Sequence, residues 1–304
     1  MTDWRGVFPA ATTQFRSDGS LDIDATIVHL HRLIDEGVNG LILLGTVGEN
    51  GSLDPSEKID LLREGSAAIE GRVPVLSGVS ERSTRAAVRF VEQADAAGVD
   101  GYMVLPGVGY KSDGRETAAH FRQVFAATSL PCMAYNNPVS YGVDVKPEEF
   151  AELADVENLV AIKESSDDVR RVTDLVNVTG DRFAIFCGVD DLALEACMLG
   201  AVGWVSGLVN AFPAENRLIW DLATAGRWTE ARDVYRWYMP LLHLDTHVKL
   251  VQYIKFAMSL TGLGSETVRP PRLPLVGEER ARIERIVRAA IAARPNPSDY
   301  RATA

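Results

Sequence analysis

The sequence contains few cysteines and no pair of them in a CxxC spacing. Cys132, Cys187 and Cys197 are the only three in 304 residues. A small, odd number without a paired spacing does not indicate a disulfide framework. We therefore expect reduced cysteines in the core of a protein from a reducing compartment.

Positive charge and long apolar runs are also scarce. Lysine and arginine total 31 against 42 for aspartate and glutamate, which gives a net charge of −11. Binding to a phosphate backbone or an anionic membrane surface requires a basic surface, so neither nucleic acid nor membrane is an expected partner. No apolar run approaches the ~20 residues that span a bilayer. The first residues, Met1-Thr2-Asp3, lack the basic and apolar segments of a secretory signal, so we expect a cytoplasmic protein.

The sequence does contain a repeated unit, in which an amphipathic helix pattern ends at a glycine and a short apolar run follows. Segments 36–40, 97–101 and 199–203 share this arrangement, with one glycine at the helix end and a second before the apolar run. The first glycine suits a left-handed helix C-cap. The apolar runs do not alternate with polar residues, which is typical of parallel strands buried on both faces.

Eight apolar runs of this kind precede residue 207, with helix patterns between them. The predicted strands are 7–11, 41–44, 73–77, 102–105, 131–135, 159–163, 183–187 and 204–206. The predicted helices include 24–36, 56–68, 84–97 and 115–127. Eight strand–helix units predict a closed (β/α)8 TIM barrel. The alternative is an open doubly wound sheet, but that fold usually has a glycine-rich phosphate turn after its first strand, and Thr12-Thr13-Gln14-Phe15 stands there instead.

Helix patterns without intervening strands fill the rest of the chain. They cover 216–225, 229–242, 248–260 and 278–293. We therefore predict that residues 1–210 form the barrel core. Residues 211–304 are predicted to supply its last helix and a C-terminal helical extension, which packs on the barrel as part of one structural unit.

In such a barrel, functional residues lie at the carboxyl ends of the strands. Lys163 ends an apolar run there, and desolvation would lower its pKa and leave a neutral amine able to attack a carbonyl. The alternative is a lysine that extends its charge into water. Tyr135 ends the preceding strand, where its phenol could transfer protons or simply bond a backbone carbonyl. Together the two residues favour a Schiff-base site.

Two further segments are candidates for binding, one for a carboxylate and one for a metal ion. Gly45-Thr46-Val47-Gly48 offers backbone N–H groups suited to a carboxylate, although a plain tight turn has the same pattern. Glu49, next in the chain, is expected to be structural. In the segment 243–247, an aspartate stands midway between two histidines. Residues two apart on a helix do not lie on the same face, and no further cluster of histidine or cysteine completes a set of metal ligands. We expect no metal site.

Taken together, these residues resemble the dihydrodipicolinate synthase/N-acetylneuraminate lyase family of class I aldolase-type enzymes. The resemblance extends from about Gly6 to Ala292. Its motifs are Gly45-Thr46-Val47-Gly48-Glu49, Tyr135-Asn136-Asn137-Pro138, Lys163, Gly203-Trp204-Val205-Ser206-Gly207 and Arg272-Leu273-Pro274-Leu275.

The resemblance implies a (β/α)8 barrel with a C-terminal helical extension, assembled as a homotetramer of two tight dimers. It implies that Lys163 forms a covalent imine with a 2-oxo acid, so that no separate cofactor is needed. Tyr135 would carry protons, with its hydroxyl bonded to Thr46. The N–H groups of Thr46 and Val47 would hold the substrate carboxylate, and the Val205 carbonyl would position the lysine or the substrate.

The resemblance also implies a substrate-binding role for several residues at the rim of the barrel. Gly188, at the end of the seventh strand, would line the site. Asp190 would bind a hydroxylated tail or else cap the next helix. Gly207 stands where sialic acid lyases carry a hydroxyl. Tyr110 is the candidate for a tyrosine that reaches the site of the dimer partner.

Ser140 is the departure that bears most on the substrate. Dihydrodipicolinate synthases place an arginine there, to bind the carboxylate of the aldehyde, and a small hydroxyl does not replace a bidentate cation. We therefore expect a Schiff-base lyase acting on pyruvate or a short hydroxylated 2-oxo acid, such as a 2-keto-3-deoxy sugar acid. The alternatives are 4-hydroxy-tetrahydrodipicolinate synthase, a catalytically silent 2-oxo acid binding protein, and imine chemistry of another kind, such as deamination.

Overall fold

The computed structural model describes residues 3–300, and within that range eight parallel strands alternate with helices. The strands are β1 (Gly6–Pro9), β2 (Leu41–Leu43), β3 (Val75–Val79), β4 (Gly101–Val104), β5 (Cys132–Asn136), β6 (Leu159–Glu164), β7 (Ala184–Cys187) and β8 (Gly203–Ser206). The helices are α1 (Ile23–Asp35), α2 (Pro55–Ile69), α3 (Thr84–Asp95), α4 (Gly114–Phe125), α5 (Pro138–Tyr141), α6 (Pro147–Ala151), α7 (Arg170–Thr179), α8 (Ala193–Met198), α9 (Pro213–Thr224), α10 (Trp228–Leu242), α11 (Leu250–Thr261) and α12 (Gly277–Ala292). Met1 and Thr2 of the predicted N-terminal segment, and 301–304 of the predicted extension, lie outside the described residues.

The strands follow one another around a barrel in chain order. From β2 to β8 each strand pairs in parallel with the next, and β1 pairs with β8, where Phe8 stands opposite Val205. Between β1 and β2 the barrel is closed by a parallel bridge from Ala10 to Ile42 and by a 2.9 Å bond from the Ala11 N–H to the Ile42 carbonyl. The predicted (β/α)8 barrel is confirmed.

Aromatic rings fill the amino-terminal end of the barrel interior. The rings of Phe8 and Phe186 meet edge to face with centroids 5.2 Å apart, and both residues are buried. A Cβ at Gly40 would collide with the Phe8 ring, and one at Gly203 with the Phe186 ring. The second glycine of the repeated unit therefore makes room for an aromatic side chain in the barrel core.

The C-terminal helices pack on one another through polar as well as apolar contacts. The indole N–H of Trp237 on α10 donates to the Ala290 carbonyl on α12 at 3.1 Å. The Tyr238 hydroxyl donates to Asn216 on α9 at 2.5 Å, in a fully buried position. The boundary at residue 210 stays a prediction.

The sequence analysis predicts no membrane-spanning segment and reduced cysteines, and both features can be examined in residues 3–300. In that range no helix is both long and apolar enough to cross a membrane. The three cysteines are free thiols there; Cys132 and Cys187 are buried, whereas Cys197 is partly exposed.

A buried ion pair ties the C-terminal helices to the turn after β2. Lys255 on α11 donates to Glu49 Oε1 at 2.8 Å and to the Thr13 carbonyl at 2.7 Å, and both charged side chains are fully buried. The second Glu49 oxygen accepts from the Arg269 N–H at 3.0 Å. Glu49 therefore has the structural position predicted for it.

Replacing Lys255 with methionine is expected to lower the free energy of unfolding by about 3–5 kcal/mol, because it leaves the Glu49 carboxylate buried without its cation. Urea denaturation measures the change. The matched control is Lys249→Met, which removes a pair with Glu279 at a lysine that is 44% exposed and should change stability by less than about 1 kcal/mol. Equal effects of the two substitutions would contradict this role of the buried pair.

Candidate active site

Lys163 and Tyr135 lie side by side at the carboxyl ends of β6 and β5. The strand register places them directly opposite each other. The Lys163 Nζ is 3.9 Å from the centroid of the Tyr135 ring. Lys163 is 6% exposed and Tyr135 is 5% exposed. The lysine thus faces the barrel interior and does not extend into bulk water.

The surroundings of Lys163 favour a neutral amine. Burial lowers the pKa of Lys163, while Coulombic interactions with Tyr141, Asp245 and Asp190 oppose that shift. A Cβ at Gly188, just beyond β7, would collide with the Lys163 side chain and with the Ser165 hydroxyl. Gly188 is therefore the residue that lets the lysine lie across the end of β7.

The Tyr135 hydroxyl is held in place by its own loop. Asn137 Nδ2 donates to the hydroxyl at 2.9 Å, and Asn137 Oδ1 accepts from the Ser140 N–H at 2.8 Å as the N-cap of α5. Burial raises the pKa of Tyr135 to about 12, although the amide of Asn137 favours the phenolate. The phenol is thus protonated near neutral pH, and its proton is available to a group bound at Lys163.

Thr46 does not have the partner predicted for it. Its hydroxyl bonds to the hydroxyl of Tyr141, and not to that of Tyr135. The single turn of α5 brings the Tyr141 ring edge-on to the Tyr135 ring, with centroids 5.9 Å apart. Burial raises the pKa of Tyr141 to about 12. Tyr141 therefore connects Thr46 to Tyr135, a role that sequence reasoning missed.

The turn after β2 has the form of an anion site. Leu44 and Glu49 have left-handed φ values of 57° and 55°, a strained conformation for residues other than glycine. Asn50 Nδ2 donates to the Leu44 carbonyl at 2.9 Å and holds the turn. The N–H groups of Thr46 and Val47 donate to no protein acceptor in the described part of the chain. Two free N–H groups at a strand end can bind a carboxylate.

The structure corrects the substrate-binding role predicted for Asp190. This residue is fully buried, and both of its oxygens accept hydrogen bonds from the protein. Trp204 Nε1 donates at 2.8 Å, the Ser206 hydroxyl at 3.1 Å and the Leu208 N–H at 2.8 Å. Burial raises the pKa of Asp190 to about 6. Its carboxylate holds the end of β8 in place, with both oxygens already bonded to protein donors.

Three other predicted residues lie at the margin of this site. Tyr110 is 62% exposed, and its hydroxyl donates to Glu116 of the same chain at 3.1 Å. Its contribution to a partner's site stays a prediction. Ser140 is exposed at the rim, on α5. Val205 is buried within β8.

Asp245 is the other residue that sequence reasoning missed as part of the site. It lies between the two histidines considered above for metal binding, and its Oδ1 lies where a Cβ at Gly207 would be. The histidines themselves have separate contacts: His243 bonds to Asp191 at 2.8 Å, and His247 stacks on Tyr253 at 4.8 Å. Among residues 3–300, no group of three or more histidines, cysteines and acids is arranged to hold a metal ion.

Comparison with known proteins places the chain in a family. The model of the dihydrodipicolinate synthetase family matches residues 3–290. The chain belongs to this family. It is 32% identical over 284 residues to a 4-hydroxy-tetrahydrodipicolinate synthase of Chlorobium phaeovibrioides, which covers 92% of this chain and 95% of the relative. Members of the dihydrodipicolinate synthetase family are class I aldolase-type lyases, and this chain is a lyase of that family.

Solved structures of the family agree with the barrel described here. Dihydrodipicolinate synthase DapA-2 from Bacillus anthracis superposes with a TM-score of 0.91 at 29% identity, covering 95% of this chain and 99% of that one. YagE, a prophage protein of the dihydrodipicolinic acid synthase family from Escherichia coli K12 solved in complex with pyruvate, has a TM-score of 0.89 at 27% identity, with coverage of 95% and 99%.

Proposed function

We propose that this lyase forms an imine between Lys163 and the 2-oxo group of pyruvate or of a short hydroxylated 2-oxo acid. The observation that carries the proposal is the Lys163 amine, enclosed in the barrel 3.9 Å from the Tyr135 ring centroid. The free N–H groups of the Thr46–Val47 turn support it, because they suit the carboxylate of such a substrate. The pyruvate complex of YagE supports the choice of a 2-oxo acid.

The proposed reaction begins with attack of the neutral Lys163 amine on C2. Attack leaves an ammonium on the lysine and an oxyanion on C2, and Tyr135 gives its proton to that oxygen. The phenolate then takes a proton from the nitrogen and passes it to the C2 hydroxyl, so that water leaves and a protonated imine remains on the lysine. This imine accepts the electron pair that is released when a bond to C3 breaks. Tyr141 and Thr46 keep the Tyr135 ring in position through their contacts with each other and with that ring.

A screen of 2-oxo acids tests the proposal. We expect 2-keto-3-deoxy sugar acids to be consumed with release of pyruvate or, after loss of water, of 2-oxoglutarate semialdehyde. Pyruvate should compete with these substrates, since it would occupy the same lysine. Consumption of none of them, together with no effect of pyruvate, would contradict the proposed function.

The second candidate is 4-hydroxy-tetrahydrodipicolinate synthase, and the name of the Chlorobium relative favours it. The argument against it rests on Ser140, because an exposed serine offers no cation to the carboxylate of aspartate semialdehyde. Turnover of pyruvate with aspartate semialdehyde at the rate of an established synthase would favour this candidate over the hydroxylated 2-oxo acids.

Ser140→Arg is expected to raise kcat/KM for aspartate semialdehyde by about tenfold or more, because a charge-assisted bidentate contact becomes possible at the rim. Steady-state rates with pyruvate held at saturation measure the gain. The control is Val139→Arg, which adds the same charge one residue away at a side chain that is 67% exposed. Equal gains in both variants would indicate general electrostatic attraction instead of a specific contact.

A further inference from the structure

The carboxyl group of Asp245 has no hydrogen-bond partner at the mouth of the barrel. Its Oδ1 is buried, and no described residue donates to it. The neighbouring acids are both satisfied, since Asp190 accepts three hydrogen bonds and Asp191 binds His243. A buried acceptor without a donor is costly and uncommon. It therefore points to a ligand that brings a donor.

Asp245 reaches this position from outside the strand–helix repeat. It lies between α10 and α11, in the C-terminal helices. Its Oδ1 and the Ile254 Cδ1 occupy the space that a side chain at position 207 would take at the end of β8. Gly207 thus allows the C-terminal extension to present a carboxyl group where the strand itself has no side chain.

Asp245 and Lys163 lie close enough to affect each other's charge. Asp245 is among the groups that raise the pKa of Lys163. Burial raises the pKa of Asp245 well above its ordinary value, and the positive charge of Lys163 opposes that shift. In the barrel order, β5 flanks β6 on one side and β7 and β8 follow on the other. The phenol of Tyr135 therefore lies on one side of the amine, and the carboxyl of Asp245 on the other.

We propose that Asp245 accepts a hydrogen bond from a hydroxyl on C4 of the bound 2-oxo acid. This inference rests on the proposed function. With C1 held by the N–H groups of Thr46 and Val47 and C2 joined to Lys163, the atoms from C3 onward extend past β7 toward Asp245. A hydroxyl supplies the missing donor there, whereas a carboxylate tail would lose its hydration in a buried position.

Borohydride trapping on Lys163 tests this without requiring turnover. Three five-carbon acids differ only in the tail: 4-hydroxy-2-oxopentanoate, 2-oxopentanoate and 2-oxoglutarate. Mass spectrometry measures the fraction of Lys163 that carries an adduct of any kind at each concentration of the acid. The concentration that gives half of the maximal fraction is then compared with the value for pyruvate. We expect the wild-type protein to be half-saturated at about tenfold lower concentration by the hydroxylated acid than by 2-oxopentanoate, with 2-oxoglutarate weakest.

Asp245→Ala should abolish the preference for the hydroxylated acid, with each half-saturating concentration expressed as a ratio to the pyruvate value of the same variant. Asp245→Asn, which keeps an acceptor oxygen, should retain part of that preference. The control is Thr246→Ala on the same loop, where the hydroxyl donates only to the His243 carbonyl. It should behave as the wild type.

The contrary outcomes are distinct. An unchanged preference in Asp245→Ala, an equal loss for pyruvate, or the same loss in Thr246→Ala would overturn the role of Asp245 while leaving imine formation intact. A wild-type protein that forms no adduct even with pyruvate would overturn the proposed function, and the role of Asp245 with it.

Discussion

Lys163→Ala is expected to reduce turnover of the 2-oxo acid substrate by at least about 10⁴-fold. The amine is the only group in the proposed mechanism that forms a covalent bond with the substrate, and removing a nucleophile of this kind removes the covalent route itself. The measurement is kcat from pyruvate release, followed under conditions that saturate the wild-type protein. Circular dichroism of the variant should match the wild type, since alanine leaves the β6 backbone pairing intact.

Two controls separate loss of the amine from loss of the fold. Lys249→Ala removes a partly exposed lysine in an ion pair with Glu279 and should leave turnover unchanged. Lys163→Cys, alkylated to carry an aminoethyl group, returns an amine to nearly the same position and should regain measurable activity. A Lys163→Ala protein with more than about 1% of wild-type turnover would contradict the proposed mechanism.

Tyr135→Phe is expected to lower kcat by about 10²–10⁴-fold, the usual contribution of a positioned proton-transfer group. The ring, and with it the edge-to-face contact with Tyr141, is retained, so the loss should come from the hydroxyl alone. Pyruvate should still reach Lys163 and form the imine, only more slowly. The rate of adduct formation, measured by quenching with borohydride at increasing times, distinguishes slow chemistry from failed binding.

Tyr102→Phe serves as the control for removal of a buried phenol hydroxyl. Its hydroxyl donates to Asp95 at 2.5 Å, outside the site. This substitution should affect stability and leave the rate of adduct formation unchanged. A Tyr135→Phe protein that forms the adduct at the wild-type rate would show that the proton carrier is another group, and Tyr141 would be the first to examine.

Most of the barrel could be predicted because its signals are local. A short apolar run between two helix patterns predicts a buried strand, and the eight such runs before residue 207 predict a closed parallel sheet. The predicted strands match the observed ones to within a few residues, as for 159–163 against Leu159–Glu164. The reason for the second glycine was not predictable, because the Phe8 ring that faces Gly40 comes from another strand.

The residues of the candidate site could also be predicted only in part. Lys163 and Tyr135 could be placed next to each other because both end adjacent parallel strands, and the register of those strands sets their distance. The predicted hydrogen bond between Thr46 and Tyr135 was wrong, because the true partner is Tyr141. The position of Tyr141 depends on the one-turn helix α5, and a helix that short has no periodic pattern in the sequence. Asp245 was missed because its place beside Gly207 results from packing of the C-terminal helices, a contact between segments far apart in sequence.

Location of the pyruvate adduct tests the central claim most directly. The wild-type protein is incubated with pyruvate and sodium borohydride, digested, and mapped by tandem mass spectrometry. If Lys163 forms the imine, we expect one reduced pyruvyl group per chain, on the peptide that contains Lys163. A modification spread over surface lysines, or an unmodified Lys163 at saturating pyruvate, would contradict it.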